Sequence, residues 1–569
     1  MAHAAGQGET RRRAPSVPVD VGLVAVVTGL VALLMVGSSH LRPHDAPELD
    51  PRPALLPIYL MYSLARLLVA YALSVLLALA VGHLAARSRV ARRVILPALD
   101  VLQSVPILGF FPAAAAVFIA LGGGSALGVE AAAVFLIFTS MFWNLAFGVY
   151  GSLITVPEEL LLAADQLKLR GTLRWTRLVL PAVFPNLLYN SILSWSNGWY
   201  FLIASEIIAA GPARYTLPGL GSYLSQAIAA GHRDQTLYAL LTLLAATVGL
   251  RMLVWGPLET WAERFLIDES GEHPRVPRIG RLLQRSRIVR WLSRQVLVPL
   301  GQMLFRVVGR VLALPGRFSG VIALLAGAAV VAGAGWLAVR AAQAIFSKPL
   351  SPEAREIPLA LGLSLLRVAG AVALAVIISV PVAWLSLRAG PHGRTAAVAA
   401  VQVLGSFPAT AFFPLVAAAL VPLGLGLEAG SVLLVLTAAF LYVMLNALSG
   451  AASVPKELME AASAFGLRGL QHMRRVFIPA VLPQLVTGAI TAWGGAWNAI
   501  VLAEYVTAGG QRHVVTGIGA SLDRATYETG DAQVIALSLL AMVTLVVAVN
   551  RVFWAPLYRQ VGARYKMDA

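Results

Sequence analysis

Long apolar runs alternate with short polar connections along the whole chain. They lie near 21–39, 58–84, 95–121, 130–152, 178–206 and 235–255, and again near 318–343, 359–387, 396–420, 430–453, 476–504 and 534–555. About 20 apolar residues in a helix cross the hydrocarbon core of a bilayer. The pattern therefore predicts an all-α polytopic membrane protein of about twelve transmembrane helices, six on each side of a polar stretch.

The polar connections carry a repeat. Val156–Pro185 reads VPEELLLAADQLKLRGTLRWTRLVLPAVFP, and Val454–Pro483 reads VPKELMEAASAFGLRGLQHMRRVFIPAVLP. The two are 298 residues apart and agree at 14 of 30 positions. The repeat extends outward: SLAR at Ser63–Arg66 matches SLLR at Ser364–Arg367, SVPILGFFP at Ser104–Pro112 matches SFPATAFFP at Ser406–Pro414, and WSNGWYFLIASE at Trp195–Glu206 matches WGGAWNAIVLAE at Trp493–Glu504. A duplication of this extent makes the chain two homologous halves. Six helices per half is an even number, so the halves run parallel about an axis along the membrane normal.

Composition agrees: 58% of the 569 residues are hydrophobic, 12% are charged, and mean hydropathy is +0.77. The net charge of +17 reports topology and not nucleic-acid binding. With the N-terminus inside, 31 lysines and arginines fall on the cytoplasmic side and 8 on the other, as the positive-inside rule requires. Both termini are thus expected in the cytoplasm. The expected division is a polar tail (1–20), a first membrane domain (21–256), an Arg-rich cytoplasmic linker (257–317), a second membrane domain (318–556) and a basic tail (557–569). The linker, with eleven arginines, reads either as an amphipathic helix on the inner leaflet or as a solvated tether. The first apolar run reads as an uncleaved helix, because no small-residue cleavage site follows it. Zero cysteines exclude disulfide and thiolate chemistry, and the nine histidines lack ligand spacing, so no metal site is expected.

The second copy contains Glu460-Ala461-Ala462, then Gly466, and Val-Phe-Ile-Pro ending at Pro479. This resembles the EAA signature of ABC importer permeases, in spacing as well as residue type. The first copy keeps Ala163, Ala164 and Pro181 but has Leu162 for Glu and Lys168 for Gly, while Gly171 and Gly469 are shared. The resemblance implies a type I importer permease in which Ala163, Ala164, Lys168, Gly171, Glu460, Ala461, Ala462, Gly466 and Gly469 couple to two cytoplasmic ABC ATPase subunits. It also implies an extracytoplasmic substrate-binding protein and a place in the bacterial inner membrane. No GxxxxGK[ST] loop is present, so ATP and Mg are expected on the partner subunits, with neither cofactor nor catalysis in this chain.

A narrower resemblance, Trp199…Ser205-Glu206 and Trp497…Ala503-Glu504, is to the nitrate/sulfonate/taurine/bicarbonate branch of these permeases. It implies a small anion as solute. Trp199 and Trp497, Glu206 and Glu504, and the matched Arg66 and Arg367 are the candidates for the translocation path. The glutamates read either as gate or hydrogen-bonding groups or as carboxylates snorkelling to the interface. The arginines either pair with them, attract an anion or snorkel. The alternatives are a self-sufficient twelve-helix secondary transporter, an importer of a neutral or cationic solute, and a membrane scaffold or receptor.

Overall fold

The computed structural model describes residues 49–104, 106–210, 213–262, 349–405, 426–508 and 511–565, with isolated positions at 339, 342–343, 346 and 416. The expected first span, nearly all of the seventh, the Arg-rich linker beyond residue 262 and the second copy of the SVPILGFFP segment lie outside the described residues. The first half comprises α1 (Leu56–Arg87), α2 (Arg89–Ser104), α3 (Ile107–Leu121), α4 (Ala126–Ile154), α5 (Glu158–Gln166), α6 (Gly171–Arg174), α7 (Leu180–Ser205), strands β1 (Ile207–Ala210) and β2 (Ala213–Thr216), α8 (Leu220–Ala229), α9 (Arg233–Leu250) and α10 (Gly256–Ala262). The second half repeats the order in α11 (Pro352–Arg388), α12 (Gly390–Gly405), α13 (Gly426–Ala452), α14 (Lys456–Ala464), α15 (Gly469–His472), α16 (Ile478–Ala503), β3 (Tyr505–Ala508), β4 (Gln511–Val514), α17 (Ile518–Arg524), α18 (Ala532–Val549) and α19 (Ala555–Tyr565).

Among the described residues, eight helices are long and apolar enough to cross a membrane, four in each half. The span expected over 95–121 is not one of them. It is α2 and α3, separated at Pro106, whose ring disfavours helix in the residue before it. The fold is all-α and polytopic, as expected, and each half adds one short antiparallel hairpin, pairing Ile207 with Thr216 and Tyr505 with Val514. A short helix, α8 or α17, follows each hairpin. In each half the hairpin and the α5- or α14-type loop cap opposite ends of the same helix, α7 or α16.

Four turns with i→i+5 bonding interrupt the long helices at Trp175–Val179, Arg251–Trp255, Met473–Phe477 and Asn550–Trp554. Proline explains all four. Pro181, Pro257, Pro479 and Pro556 each stand two residues past such a turn. A proline lacks the N–H of the normal helical bond and its ring crowds the carbonyl four residues back, so the turn widens and the helix continues. A fifth wide turn, Ala525–Thr529, has another cause. Between the matched pairs Gly219/Gly517 and Gly231/Gly530 the second half has one extra residue, and the wide turn absorbs it.

Close helix contact is set by small residues, as expected where lipid removes the hydrophobic drive between helices. Ala65, Ala70 and Ala78 of α1 are fully or almost fully buried, and a side chain at Gly82 would strike Val149 of α4. Leu79, Ile137, Met141, Leu145 and Trp199 belong to the first-half core. Val435, Val443, Phe477 and Trp497 belong to the second, which also takes in Ile107 and Phe111 of α3, so the first half lends a helix to its partner's core.

Candidate functional site

The repeated loops form one end of the structure. In each, a nine-residue helix, α5 or α14, ends in a left-handed turn and a second turn starts the next helix. Gly466 and Gly469 have φ of 71° and 52°, and Gly171 has 53°. Lys168, standing where Gly466 stands in the other copy, adopts φ of 53°, the one non-glycine among the described residues with positive φ. A left-handed L-residue costs roughly 1–2 kcal/mol, so the first loop holds its turn under strain that the second avoids. The alanine pair divides its labour. Ala164 and Ala462 are buried against the permease body, whereas Ala163 and Ala461 are exposed beside Glu460. One alanine of each pair is thus open to its surroundings and the other is packed within this chain. Leu162 and Leu167 are exposed on the first loop, Phe465 and Leu470 on the second. Leu167 and Phe465 occupy matched positions, so each loop presents an apolar knob to its surroundings.

The opposite end is held by two ionic clusters, the first buried and the second open to the outside at Glu428. Arg66 of α1 forks onto Glu130 of α4, Nε to Oε2 at 2.7 Å and Nη2 to Oε1 at 2.8 Å. Its Nη1 donates to Glu206 Oε1 at 3.0 Å and to the Pro218 carbonyl at 3.0 Å. Glu206 also accepts from Ser63 Oγ at 2.5 Å and from the amides of Gly221 and Ser222 at 2.7 and 3.2 Å. The second half repeats this: Arg367 reaches Glu504 at 2.7 Å, the Thr516 carbonyl at 2.8 Å and Glu428, while Glu504 accepts from Ser364 Oγ at 2.5 Å and the Gly519 amide at 2.8 Å. Each carboxylate therefore caps α8 or α17 and satisfies orphan amides at its N-terminus.

The geometry selects among the sequence alternatives. Arg66 and Arg367 are paired and buried, which leaves no free cation there to attract an anion, and Glu206 and Glu504 are hydrogen-bonding groups and do not snorkel. Sequence reasoning missed Glu130 and Glu428, at the margins of apolar runs, and Gly219 and Gly517. Both pairs obey the 298-residue offset, which was the signal available. A Cβ at Gly219 or Gly517 would overlap the Glu206 or Glu504 carboxylate. Gly219→Ala is thus expected to displace the carboxylate from α8 and lower the thermal unfolding midpoint of the purified chain. An unchanged midpoint would show that the cap is dispensable.

A cavity of about 290 Å³ lies between the halves. Asn144, Asn197, Tyr442 and Asn498 supply polar groups, and Leu193, Leu441 and Ile490 supply apolar wall. Two hydrogen bonds cross the interface here: Tyr442 Oη donates to Asn197 Oδ1, and the Ile107 amide donates to Asn498 Oδ1 at 2.6 Å. None of the six path candidates lines this cavity. Trp199 and Trp497 are 1% and 0% exposed and belong to the packed cores. Trp493, one turn before Trp497, does face the cavity. The lining was illegible in the sequence because it is assembled from residues some 300 positions apart.

Comparison with known proteins agrees with this architecture. An ABC transporter permease protein of Methanocaldococcus jannaschii is 35% identical over 104 residues, 18% of this chain and 38% of its own. The taurine transport system permease protein of Escherichia coli (strain K12) is 30% identical over 148 residues, 26% of this chain and 52% of its own. The nitrate import permease protein of Leptolyngbya laminosa is 24% identical over 179 residues, 32% of this chain and 59% of its own. The matched stretches thus span less than two thirds of the length of each of these three relatives. The family described as binding-protein-dependent transport system inner membrane component matches twice, over residues 74–255 and 375–554. Both halves of the duplication are covered, and the chain belongs to that family of membrane transport components, with two such units fused in one polypeptide.

Proposed function

We propose that this chain carries two permease domains of an ABC importer, driven by two separate ATPase subunits and fed by a substrate-binding protein. The observation that carries the reading is the duplicated loop: a short helix, a left-handed turn and an exposed apolar knob, present once per half. ATPase closure on ATP and Mg would push or pull α5 and α14, and the long helices α7 and α16 would carry the movement to the hairpin end. Alternating access would follow from rocking of the two halves. The solute is a small oxyanion of the nitrate, sulfonate or bicarbonate type, a reading supported by the Trp…Glu resemblance and by the relatives named for taurine and nitrate. Uptake into vesicles holding this chain, the ATPases and the binding protein tests it directly. Transport of a neutral or cationic solute, and of no such anion, would overturn the substrate class. Transport without any ATPase would favour the secondary-transporter alternative.

The orientation puts both coupling loops in the cytoplasm. The native chain has no cysteine, so single cysteines report cleanly. Cysteines replacing the exposed Thr155 and Ser463 at the loop end are expected to be shielded from an impermeant reagent on intact cells, and those replacing the exposed Ser125 and Thr529 at the hairpin end to react. The reverse pattern would invert the topology.

A further inference from the structure

The two hydrogen bonds that join the halves differ in chemistry and share a place. The break at Pro106 leaves the first amides of α3 without a helical acceptor, and Pro106 brings no capping side chain of its own. Asn498 supplies the acceptor from the other half: its Oδ1 takes the Ile107 amide at 2.6 Å, so α3 is capped in trans. The carboxamide is oriented by its own Nδ2, which donates to the Gly494 carbonyl at 3.1 Å. The second bond runs from Tyr442 Oη to Asn197 Oδ1. Gly495 leaves room for the tyrosine, since a Cβ there would stand 3.2 Å from the ring.

The Tyr442 bond has no twofold mate. At the 298-residue offset Tyr442 matches Asn144, and Asn197 matches Gly495, which has no side chain to bond. Asn498 likewise stands where the first half has Tyr200. Both bonds lie on the hairpin side of the cavity. There the lining is buried, at Ile107, Tyr200 and Phe201. Toward the loop end it is exposed, 54% at Tyr189 and 39% at the Glu259 side chain. Beyond the bonds each hairpin meets the opposite half: β1 lies against Ala525–Thr529, and β3 against α8. The cavity is thus closed toward the hairpins and open toward the duplicated loops.

We propose that Asn498 and Tyr442 form a latch that holds the hairpin mouth shut in the resting chain, and that its release opens the path on that side. The proposal rests on the importer reading and assigns residues to its rocking movement. The chemistry suits repeated release. In a closed mouth at membrane depth, an uncapped Ile107 amide is costly. Water entering an opening mouth takes over both hydrogen bonds, so each contributes only a modest net amount. Two such bonds bias the halves toward one position without locking them there.

The test uses the purified full chain in lipid nanodiscs, without ATPase or binding protein, and reads distances between pairs of nitroxide labels. Cysteines replacing Ser125 and Thr529 report the hairpin end, and cysteines replacing Thr155 and Ser463 the loop end, all four positions being exposed. Asn498→Leu combined with Tyr442→Phe is expected to raise the fraction of long distances at the hairpin end at least about fivefold. The loop-end distance is expected to shorten in the same population, because rigid halves that part at one end close at the other. Where the double variant does not fold, Tyr442→Phe alone is expected to shift both distances in the same directions, at least about twofold in population. Asn498→Asp, which keeps an oxygen for the Ile107 amide, is expected to retain the native distances. Native distances at both ends in the variants lacking the bonds, lengthening at both ends together, or an Asn498→Asp distribution like that of Asn498→Leu would overturn the proposal. Vesicle uptake separates this failure from that of the importer reading: ATP-driven uptake by the complete native transporter, with distances indifferent to these substitutions, would sink the latch alone.

Discussion

Arg66→Met is expected to yield little or no folded protein. Arg66 and its partner Glu206 are fully buried, and its other partner Glu130 is nearly so. An ion cluster of this kind adds little net stability over an apolar replacement of the whole group. Removal of one member is different, since it strands the others, at roughly 3–5 kcal/mol for a buried pair. Here the loss of one cation strands two carboxylates in a site shaped to exclude water, and the cap on α8 is disturbed with them. Arg367→Met is expected to be milder. Its second partner, Glu428, is 67% exposed at the side chain and rehydrates at little cost. Glu130→Gln should be milder still, because Arg66 keeps Glu206. The measurement is the yield of monodisperse protein after detergent extraction, followed by the thermal midpoint of what survives. Native yield from Arg66→Met would show that the cluster is not what anchors α1, α4 and the hairpin end.

The same cluster shows how far the sequence could be read. The long helices were visible because an apolar run of sufficient length has few other destinies, and the duplication was visible because the loops kept their residues. SLAR and SLLR disclosed Arg66 and Arg367, and the fifth-span match disclosed Glu206 and Glu504. Whether these four meet depends on helix packing, and no local pattern encodes it. Glu130 and Glu428 were hidden by position: a carboxylate at the edge of an apolar run looks like the start of a loop. The break at Pro106 was legible in principle, whereas the wide turns before Pro181, Pro257, Pro479 and Pro556 were not. A proline announces trouble for a helix without saying whether the chain will stop or widen. Cavity residues such as Asn144 were the least legible, because their meaning depends on the other half.

Ala461→Glu is expected to abolish ATPase co-purification and solute-stimulated ATP hydrolysis while leaving the permease folded. Ala461 is exposed beside Glu460, so a longer acidic side chain meets no obstacle within this chain. Any defect must then arise where a partner approaches the loop. Ala462→Glu would not be informative in this way, since Ala462 is 4% exposed and the new carboxylate would disrupt the loop itself. The discriminating control is Leu162→Glu in the other half. Leu162 is 56% exposed and stands where the EAA pattern has its glutamate, so the same new carboxylate moves the first loop toward the pattern. It is expected to be tolerated, with hydrolysis within about twofold of native, since an exposed substitution with no broken contact has little energetic effect. Two acidic substitutions on exposed positions of equivalent helices should thus differ by an order of magnitude or more in hydrolysis. Equal, native hydrolysis in both would remove the docking role from α14. Equal loss in both would show that added charge alone, and not the shape of the alanine face, disrupts the contact.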